Sequence, residues 1–185
     1  MLTREQLRGE LERLGSLLAG RNIDWGVAAG AAVYLYTGNR FPTDLDLLAR
    51  PEQLPDVAAL LGVELQQTGV SWGELQKLQQ GEIEVAGRLE IVQGGERWLY
   101  FMDDDMVAHL RQMEVDGLTV PVLAPEVLVA LKAALQRGLD QGKHDLEDIE
   151  ALAGLVTMDA TYLRHRLGRM GAEGRARPIL QQFGW

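Results

Sequence analysis

The chain has 185 residues, 46% of them hydrophobic, and a formal net charge of −9. That supports one domain with a real core and a small helical appendage. Cysteine is absent, which excludes disulfides and thiolate zinc sites, and the acidic balance argues against broad steering toward nucleic acid.

Thr3 and Gln6 form a capping-box pattern before Leu7, Leu11, Leu14 and Leu18, which recur at helical spacing up to Gly20. Charged residues (Arg4, Glu5, Arg8, Glu10) follow Met1, and no apolar run approaches the roughly 20 residues that span a bilayer. A cytoplasmic protein without membrane contact is expected. Ile23 to Ala29 reads as a short buried strand. Gly30 to Tyr36 reads as a helix starting at the strand's end, and Gly38-Asn39 stops it. Thr43 to Ala49 alternates acidic and apolar residues, the period of a half-buried strand. Pro51 opens a helix with Leu54, Val57, Leu60 and Leu61 on its apolar face.

Glu82 to Val92 reads as two short strands around Gly87. Asp116-Gly117 is a tight-turn signal between Met113-Val115 and Leu118-Val122. After Pro125 the chain turns helical, with Val127, Leu128, Leu131 and Leu135 on one face. A break at Gly138 to Gly142 precedes a second helix from about Asp145, and one or two more finish the chain. The order divides the chain into an α/β core over residues 1–124 and a C-terminal helical region over 125–185, packed on that core.

The segment that carries chemistry is Ala29-Gly30, then thirteen residues, then Asp44-Leu45-Asp46. Residues two apart on a strand face the same way, so both carboxylates project from one face, about 7 Å apart. Leu45 and Leu47 point to the opposite face. Unpaired carboxylates in this arrangement suit a hard cation, and magnesium commonly takes one or two carboxylates plus substrate phosphates. Gly30 lies at a strand-to-helix turn, where free backbone N–H groups and the positive helix end would meet a phosphate. Metal ligands beside a phosphate cradle describe phosphoryl or nucleotidyl transfer. The plainer reading is an exposed edge strand with two solvated aspartates.

Val27-Ala-Ala-Gly30-Ala-Ala through Arg40-Phe-Pro-Thr-Asp44-Leu-Asp46-Leu-Leu48 resembles the signature of the polymerase-beta-type nucleotidyltransferase superfamily. It is most similar to the AbiEii-like branch, which includes toxins of toxin–antitoxin systems. Pro125-Glu-Val-Leu-Val-Ala-Leu-Lys132 and Lys143-His-Asp145-Leu-Glu-Asp148-Ile149 resemble that branch's helical motif. The resemblance covers roughly residues 20 to 155. It departs at Ala29, where the first Gly of a pair is usual, and at Thr43, where the branch often has Ser or Thr one place earlier.

The resemblance implies a nucleotidyltransferase fold, a short mixed sheet flanked by helices. It implies a transferase that moves a nucleoside monophosphate from a triphosphate such as ATP to an acceptor, with two magnesium ions or manganese in their place. Asp44, Asp46 and a third carboxylate would hold the metal. Candidates for the third are Glu82, Glu84 and Glu90. Glu90 is preferred, as the only acidic residue inside a short inner strand, with Glu84 on a solvated outer strand as second choice. Ala29, Gly30, Arg40, Thr43 and Lys132 would meet the nucleotide. The acceptor is open among RNA, protein and small molecules, and a cognate antitoxin is an implied partner.

Other signals point elsewhere. Asp145 and Asp148 suit structural roles, Asp145 as a helix cap and both as partners of Lys132, Arg137 or Lys143. Arg164, Arg166, Arg169, Arg175 and Arg177 form either a solvated helix face or a site for tRNA or other RNA. Gly69-Val-Ser71-Trp-Gly73 matches the nucleophile-elbow pattern of a serine esterase. Yet Ser71 with Glu74 is also a capping box before Leu75-Leu78. The three histidines (His109, His144, His165) sit in no recognisable catalytic setting. Gly142-Lys143 lacks the rest of a P-loop, and no His-Glu-x-x-His exists for zinc. A catalytically degenerate nucleotidyltransferase-fold binding module remains a separate function class, favoured by Ala29.

Overall fold

The computed structural model of this chain describes every residue except Met1, Ser71, Trp72 and Gly94, and only the backbone of Val70 and Gln93. The first helix, α1, spans Arg4–Leu18 with the Thr3–Gln6 capping box formed, and it buries Leu7, Leu11, Leu14 and Leu18. Strand β1 (Trp25–Val27) runs into helix α2 (Ala29–Thr37), then strand β2 (Leu45–Ala49). A single 3-10 turn at Pro51–Gln53 leads into α3 (Leu54–Leu61).

Strands β3 (Gln66–Val70), β4 (Gly73–Gln80), β5 (Ile83–Gln93) and β6 (Glu96–Phe101) follow. Short helix α4 (Asp104–Ala108) precedes strands β7 (Arg111–Val115) and β8 (Leu118–Val122). Their connecting residues Asp116 and Gly117 both have positive φ, 48° and 84°, as a two-residue hairpin turn of this hand requires. Helices α5 (Pro125–Leu135), α6 (Asp145–Leu155), α7 (Ala160–Met170) and α8 (Glu173–Gln182) complete the chain.

The sheet order is β3-β4-β5-β2-β1-β8-β7. Strands β2/β5 and β1/β8 pair in parallel, and the other neighbours are antiparallel. The sheet is therefore mixed, with helices packed against it, as the sequence resemblance implies. Strand β5 is long enough to serve two partners on one side. Its first half pairs with β2 from Ile83 to Ala86, and its second half pairs with β6 from Arg88 onward.

Two expectations fail here. The segment read as two strands around Gly87 is one continuous strand from Ile83 onward, with Glu82 in the turn before it. A Cβ at Gly87 would lie 2.3 Å from Leu54 Cδ1, so glycine there lets α3 seat on β5 without breaking the strand. Likewise Glu74 to Leu78 is strand, not helix, because β4 finds hydrogen-bonding partners on both sides in β3 and β5. A capping role for Ser71 with Glu74 therefore lacks its helix. Ser71 itself, and with it the esterase reading, lies outside the described residues.

The core runs between the sheet and the helices. Val27, Leu45, Leu47, Leu78, Ile83 and Ile91 from the strands meet Leu11, Leu14, Ala31, Ala32, Leu54, Val129 and Ala133 from the helices. Strand β2 is buried at all positions except Asp46, which is half-buried. It is a central strand, not a solvated edge.

Candidate active site

The site lies where β1 ends, α2 begins and β2 starts. The Ala28 backbone N–H donates to the Asp46 carbonyl at 2.8 Å, and the Leu45 N–H donates to the Glu82 carbonyl at 2.8 Å. These bonds fix the aspartate segment between β1 and β5. A cavity of about 270 Å³ opens there, with Ala29, Gly30, Asp44, Asp46, Lys132 and Lys143 among its lining residues. Arg40, Thr43, Arg137, Asp145 and Asp148 line it as well. Of the residues expected at the site, the cavity thus gathers Ala29, Gly30, Arg40, Thr43, Asp44, Asp46 and Lys132.

Ala29 has φ of 46°, the left-handed region that a glycine would enter freely. The chain makes the turn into α2 at a conformational cost instead of rebuilding it. Gly30 follows within the first turn of α2, whose N-cap Ala28 makes no side-chain cap. The first N–H groups of α2 are thus left for a ligand. Arg40 also has positive φ, 33°. Two non-glycine residues in this sparsely populated region line one cavity, which is where proteins concentrate backbone strain.

Asp44 accepts a hydrogen bond from the Thr43 hydroxyl at 2.9 Å. Asp46 is the group under most electrostatic pressure. Burial, then the negative charges of Asp44 and Glu84, push its carboxyl up to about 7, against the pull of Lys143 and Lys132. Such excess negative charge on hard oxygen donors is what a divalent cation relieves. Among the described residues, no group of three or more His, Asp or Glu could hold a metal by itself. Phosphate oxygens would have to complete any magnesium shell formed on Asp44 and Asp46.

Glu90 does not reach this place. The parallel register sets Glu84, not Glu90, directly beside Asp46. Glu90 is six residues farther along β5, about 20 Å away at strand spacing. There it pairs in register with Glu74 and Leu99, and its carboxylate bonds Arg97 at 2.6 Å. The expectation failed because β5 does not break at Gly87, so no separate inner strand exists to aim Glu90 at the site. Glu84 forms an ion pair with Lys77. Glu82 precedes the strand and is exposed.

The wall opposite the aspartates is an ionic network on the helical region. Lys132 Nζ lies 2.7 Å from Asp148 and 3.3 Å from Asp145. Arg137 meets Asp145 through Nε at 2.9 Å, through a second guanidinium nitrogen at 3.2 Å, and through its backbone N–H at 2.9 Å. Arg40 donates to Asp148 at 2.7 Å. Burial disfavours ionised Asp145, but the Arg137 hydrogen bonds and the Lys132 and Arg137 charges outweigh it and hold the carboxyl below its ordinary value. Asp145 opens α6 without making a side-chain cap. Its role is the ion pair.

Arg137 and Lys143 are lining cations that sequence reading did not place at the site. Lys143 is exposed, on the loop just before α6, and its charge acts on Asp46. Its sequence signals were the Gly138 to Gly142 break and its place at the head of the Lys143-His-Asp145 motif.

The C-terminal arginines do not form a common surface. Arg166 is 2% exposed and bonds Asp103 and Asp105, each at 2.9 Å. Arg169 reaches Asp103 at 3.3 Å. Arg175 donates to the Ala134 carbonyl and lies over the Trp98 ring. Arg164 and Arg177 remain exposed and line a different hollow with Trp185. The expected RNA patch through Arg164, Arg166 and Arg169 is therefore largely consumed by internal ion pairing. No helix among the described residues is long and apolar enough to cross a membrane.

No family model matches the chain, and no curated protein matches it. Solved structures do. A putative nucleotidyltransferase, TM1012, from Thermotoga maritima superimposes with a TM-score of 0.58 at 18% identity, covering 74% of this chain and 88% of its own. The antibiotic-resistance factor ANT(2'')-Ia gives 0.59 at 14% identity, with 97% of each chain covered. The lincosamide antibiotic adenylyltransferase LnuA, solved with lincomycin, gives 0.51 at 15% identity, covering 80% of this chain and 97% of that one. Together with the mixed sheet and its flanking helices, these likenesses show that the chain has the nucleotidyltransferase fold.

Proposed function

We propose that this protein is a magnesium-dependent nucleotidyltransferase that transfers a nucleoside monophosphate from a triphosphate to the hydroxyl of a small-molecule acceptor. The observation that carries the proposal is the negative charge that Asp44 and Glu84 impose on Asp46, in a cavity that Lys143 and the first turn of α2 also line. One side of the cavity is short of positive charge and the other offers N–H donors and cations. A metal–triphosphate complex matches both sides at once.

In this reading Asp44 and Asp46 hold magnesium, with manganese as a substitute. When bound, the metal offsets phosphate charge and favours ionisation of the attacking oxygen. Glu84 takes the part expected of Glu90 as third carboxylate, assisting Asp46 as base and not completing a three-residue metal group. The N–H groups at Ala29 and Gly30 cradle phosphate oxygens. Lys143, supported by Lys132 and Arg40, offsets the charge that grows on departing pyrophosphate. The acceptor oxygen forms its bond to the α-phosphorus as the bond to the pyrophosphate oxygen breaks. The hydroxyl proton passes to a carboxylate of the site.

The small-molecule acceptor is favoured over RNA because Arg166, Arg169 and Arg175 are engaged inside the protein. Relatives of this fold with antibiotic acceptors, ANT(2'')-Ia with adenylyl-2''-tobramycin and LnuA with lincomycin, are compatible with that choice. Membership of the AbiEii-like branch, a toxin role and a cognate antitoxin rest on the sequence motifs alone.

The test is incubation with each α-labelled nucleoside triphosphate, magnesium and cell extract, followed by separation into small-molecule, RNA and protein fractions. Label should enter the small-molecule fraction with wild type and not with Asp44→Asn/Asp46→Asn. Label in RNA or protein would replace the acceptor assignment. No transfer, with no magnesium-dependent triphosphate binding by calorimetry, would overturn the function.

A further inference from the structure

A second cavity, about 560 Å³, adjoins the first at Lys132 and Arg137, which line both. Helices α5, α6 and α8 and the turn at Leu139–Gln141 enclose it. Its apolar surface comes from Leu139, Leu146, Ile149 and Ile179. Ile149 is a buried floor, but Leu139 is 67% exposed and Leu146 41% exposed. Two large aliphatic side chains left in water around one concavity mark a place built to be covered. The volume is that of a site for a drug-sized molecule.

The polar groups at this cavity select the charge of its occupant. Lys132 and Arg137 belong to the wall, yet both are turned into the ionic network with Asp145 and Asp148. Their charge is neutralised within the protein. What stands at the mouth is acidic. Asp140 and Glu147 are exposed, and Glu147 lies 3.9 Å from His144. Gln136 is held by the carbonyls of Ala133 and Arg175. Apolar walls below a mouth carrying two carboxylates favour a molecule with an apolar body and a cationic end.

We propose that this cavity binds a small organic cation with an apolar body, of the arylalkylamine type. The apolar portion packs between Leu139, Leu146 and Ile179. The ammonium group lies toward Asp140 and Glu147. This cavity shares Lys132 and Arg137 with the Asp44–Asp46 cavity, but the proposal does not depend on the reading given to that cavity.

The experiment uses the full chain without nucleotide or metal. Binding of 4-phenylbutylamine and of 4-phenylbutyrate, nearly the same body with opposite charge, is measured by calorimetry at neutral pH. Saturable one-to-one binding of the amine is expected, at least roughly tenfold tighter than the carboxylate. Asp140→Asn/Glu147→Gln should remove that preference. Leu139→Ser/Leu146→Ser, both at exposed positions and checked for an unchanged melting profile, should weaken the amine by roughly tenfold or more. Absence of saturable amine binding, equal affinity for the two probes, or undiminished binding by the leucine variant would overturn the proposal.

Discussion

Asp46 and Glu84 are paired residue to residue across the parallel strands β2 and β5, so two carboxylates from distant parts of the chain share one face of the sheet. The Lys77 ammonium neutralises Glu84 from the neighbouring strand β4, while Asp46 has no ion-pair partner within the described residues. Glu84→Gln should therefore lower nucleotide transfer by roughly 100-fold or more, the scale of losing general-base assistance. Glu90→Gln should leave transfer within a few-fold of wild type, since Glu90 sits among Arg88 and Arg97 on the far half of β5. A transfer assay on the two variants in parallel decides it. The reverse ranking would mean that β5 carries its chemistry at the other end.

The left-handed Ala29 yields a prediction about stability. An L-residue in this region costs about 1–2 kcal/mol, while glycine gives back about 0.5–1 kcal/mol through its freer unfolded chain. Ala29→Gly should accordingly be neutral to about 1 kcal/mol stabilising. Ala29→Val, β-branched at φ of 46°, should destabilise by about 2 kcal/mol. Urea midpoints at constant slope measure both. If glycine destabilises and valine does not, the backbone at the start of α2 is not strained.

Much of the fold was legible in short stretches of sequence, because the signals involved are local. The Thr3–Gln6 capping box, the Asp116-Gly117 turn and the apolar spacing of α5 each lie within a few residues. The β1–α2–β2 unit was legible for the same reason, except that β2 begins at Leu45 and leaves Asp44 in the bend before the strand. Strands β3 and β4 were not. Gln66, Gln67, Gln76, Gln79 and Gln80 have weak strand preference, and these strands exist because β5 supplies a partner. The choice of Glu84 over Glu90 was likewise hidden. It depends on a parallel register between strands separated by α3, β3 and β4, and no local pattern encodes that. Gly87 looked like punctuation, whereas its missing side chain is needed for contact with Leu54.

The buried Lys132 network should dominate stability of the helical region. Lys132 is 5% exposed and stands between Asp145, 1% exposed, and Asp148, 4% exposed. Lys132→Met leaves two buried carboxylates facing one another with less compensation. A cost of about 3–5 kcal/mol is expected, as for other broken buried pairs. Asp145→Asn/Asp148→Asn together with Lys132→Met should recover part of that loss. Chemical denaturation of the three proteins measures the coupling. Equal stability of wild type and Lys132→Met would show that the network is solvated.

The same network fixes a pH dependence. Asp145 ionises below its ordinary value in the folded chain, because the Arg137 hydrogen bonds and the Lys132 and Arg137 charges outweigh burial. A carboxyl depressed in this way adds stability at every pH above its unfolded value near 3.9. That stability is lost as pH falls from there through the lower folded value. Asp145→Asn should be less stable than wild type at neutral pH, and the gap should narrow on acidification. Unfolding midpoints between about pH 7 and pH 3 test the sign. A gap that widens toward acid would mean that Asp145 is protonated in the native state.

The last prediction separates structural from exposed arginines in the C-terminal region. Arg166 ties α7 to the start of α4, where Asp103 caps the helix through the Met106 N–H at 2.9 Å. Burial works against ionised Asp103, but that N–H and the Arg166 guanidinium outweigh it and hold the carboxyl below its ordinary range. Arg166→Gln should therefore destabilise the protein by about 1.5–3 kcal/mol, since it takes charged hydrogen bonds from the half-buried Asp103 and Asp105. Arg164→Gln, at an exposed position, should change stability by less than about 0.5 kcal/mol. Any RNA affinity detected at low salt should respond to Arg164→Gln/Arg177→Gln, not to folded Arg166 variants. Thermal unfolding and filter binding of the two variant sets provide the measurements. A fully stable Arg166→Gln protein with weakened RNA binding would restore Arg166 to a nucleic-acid surface and refute the ion-pair assignment.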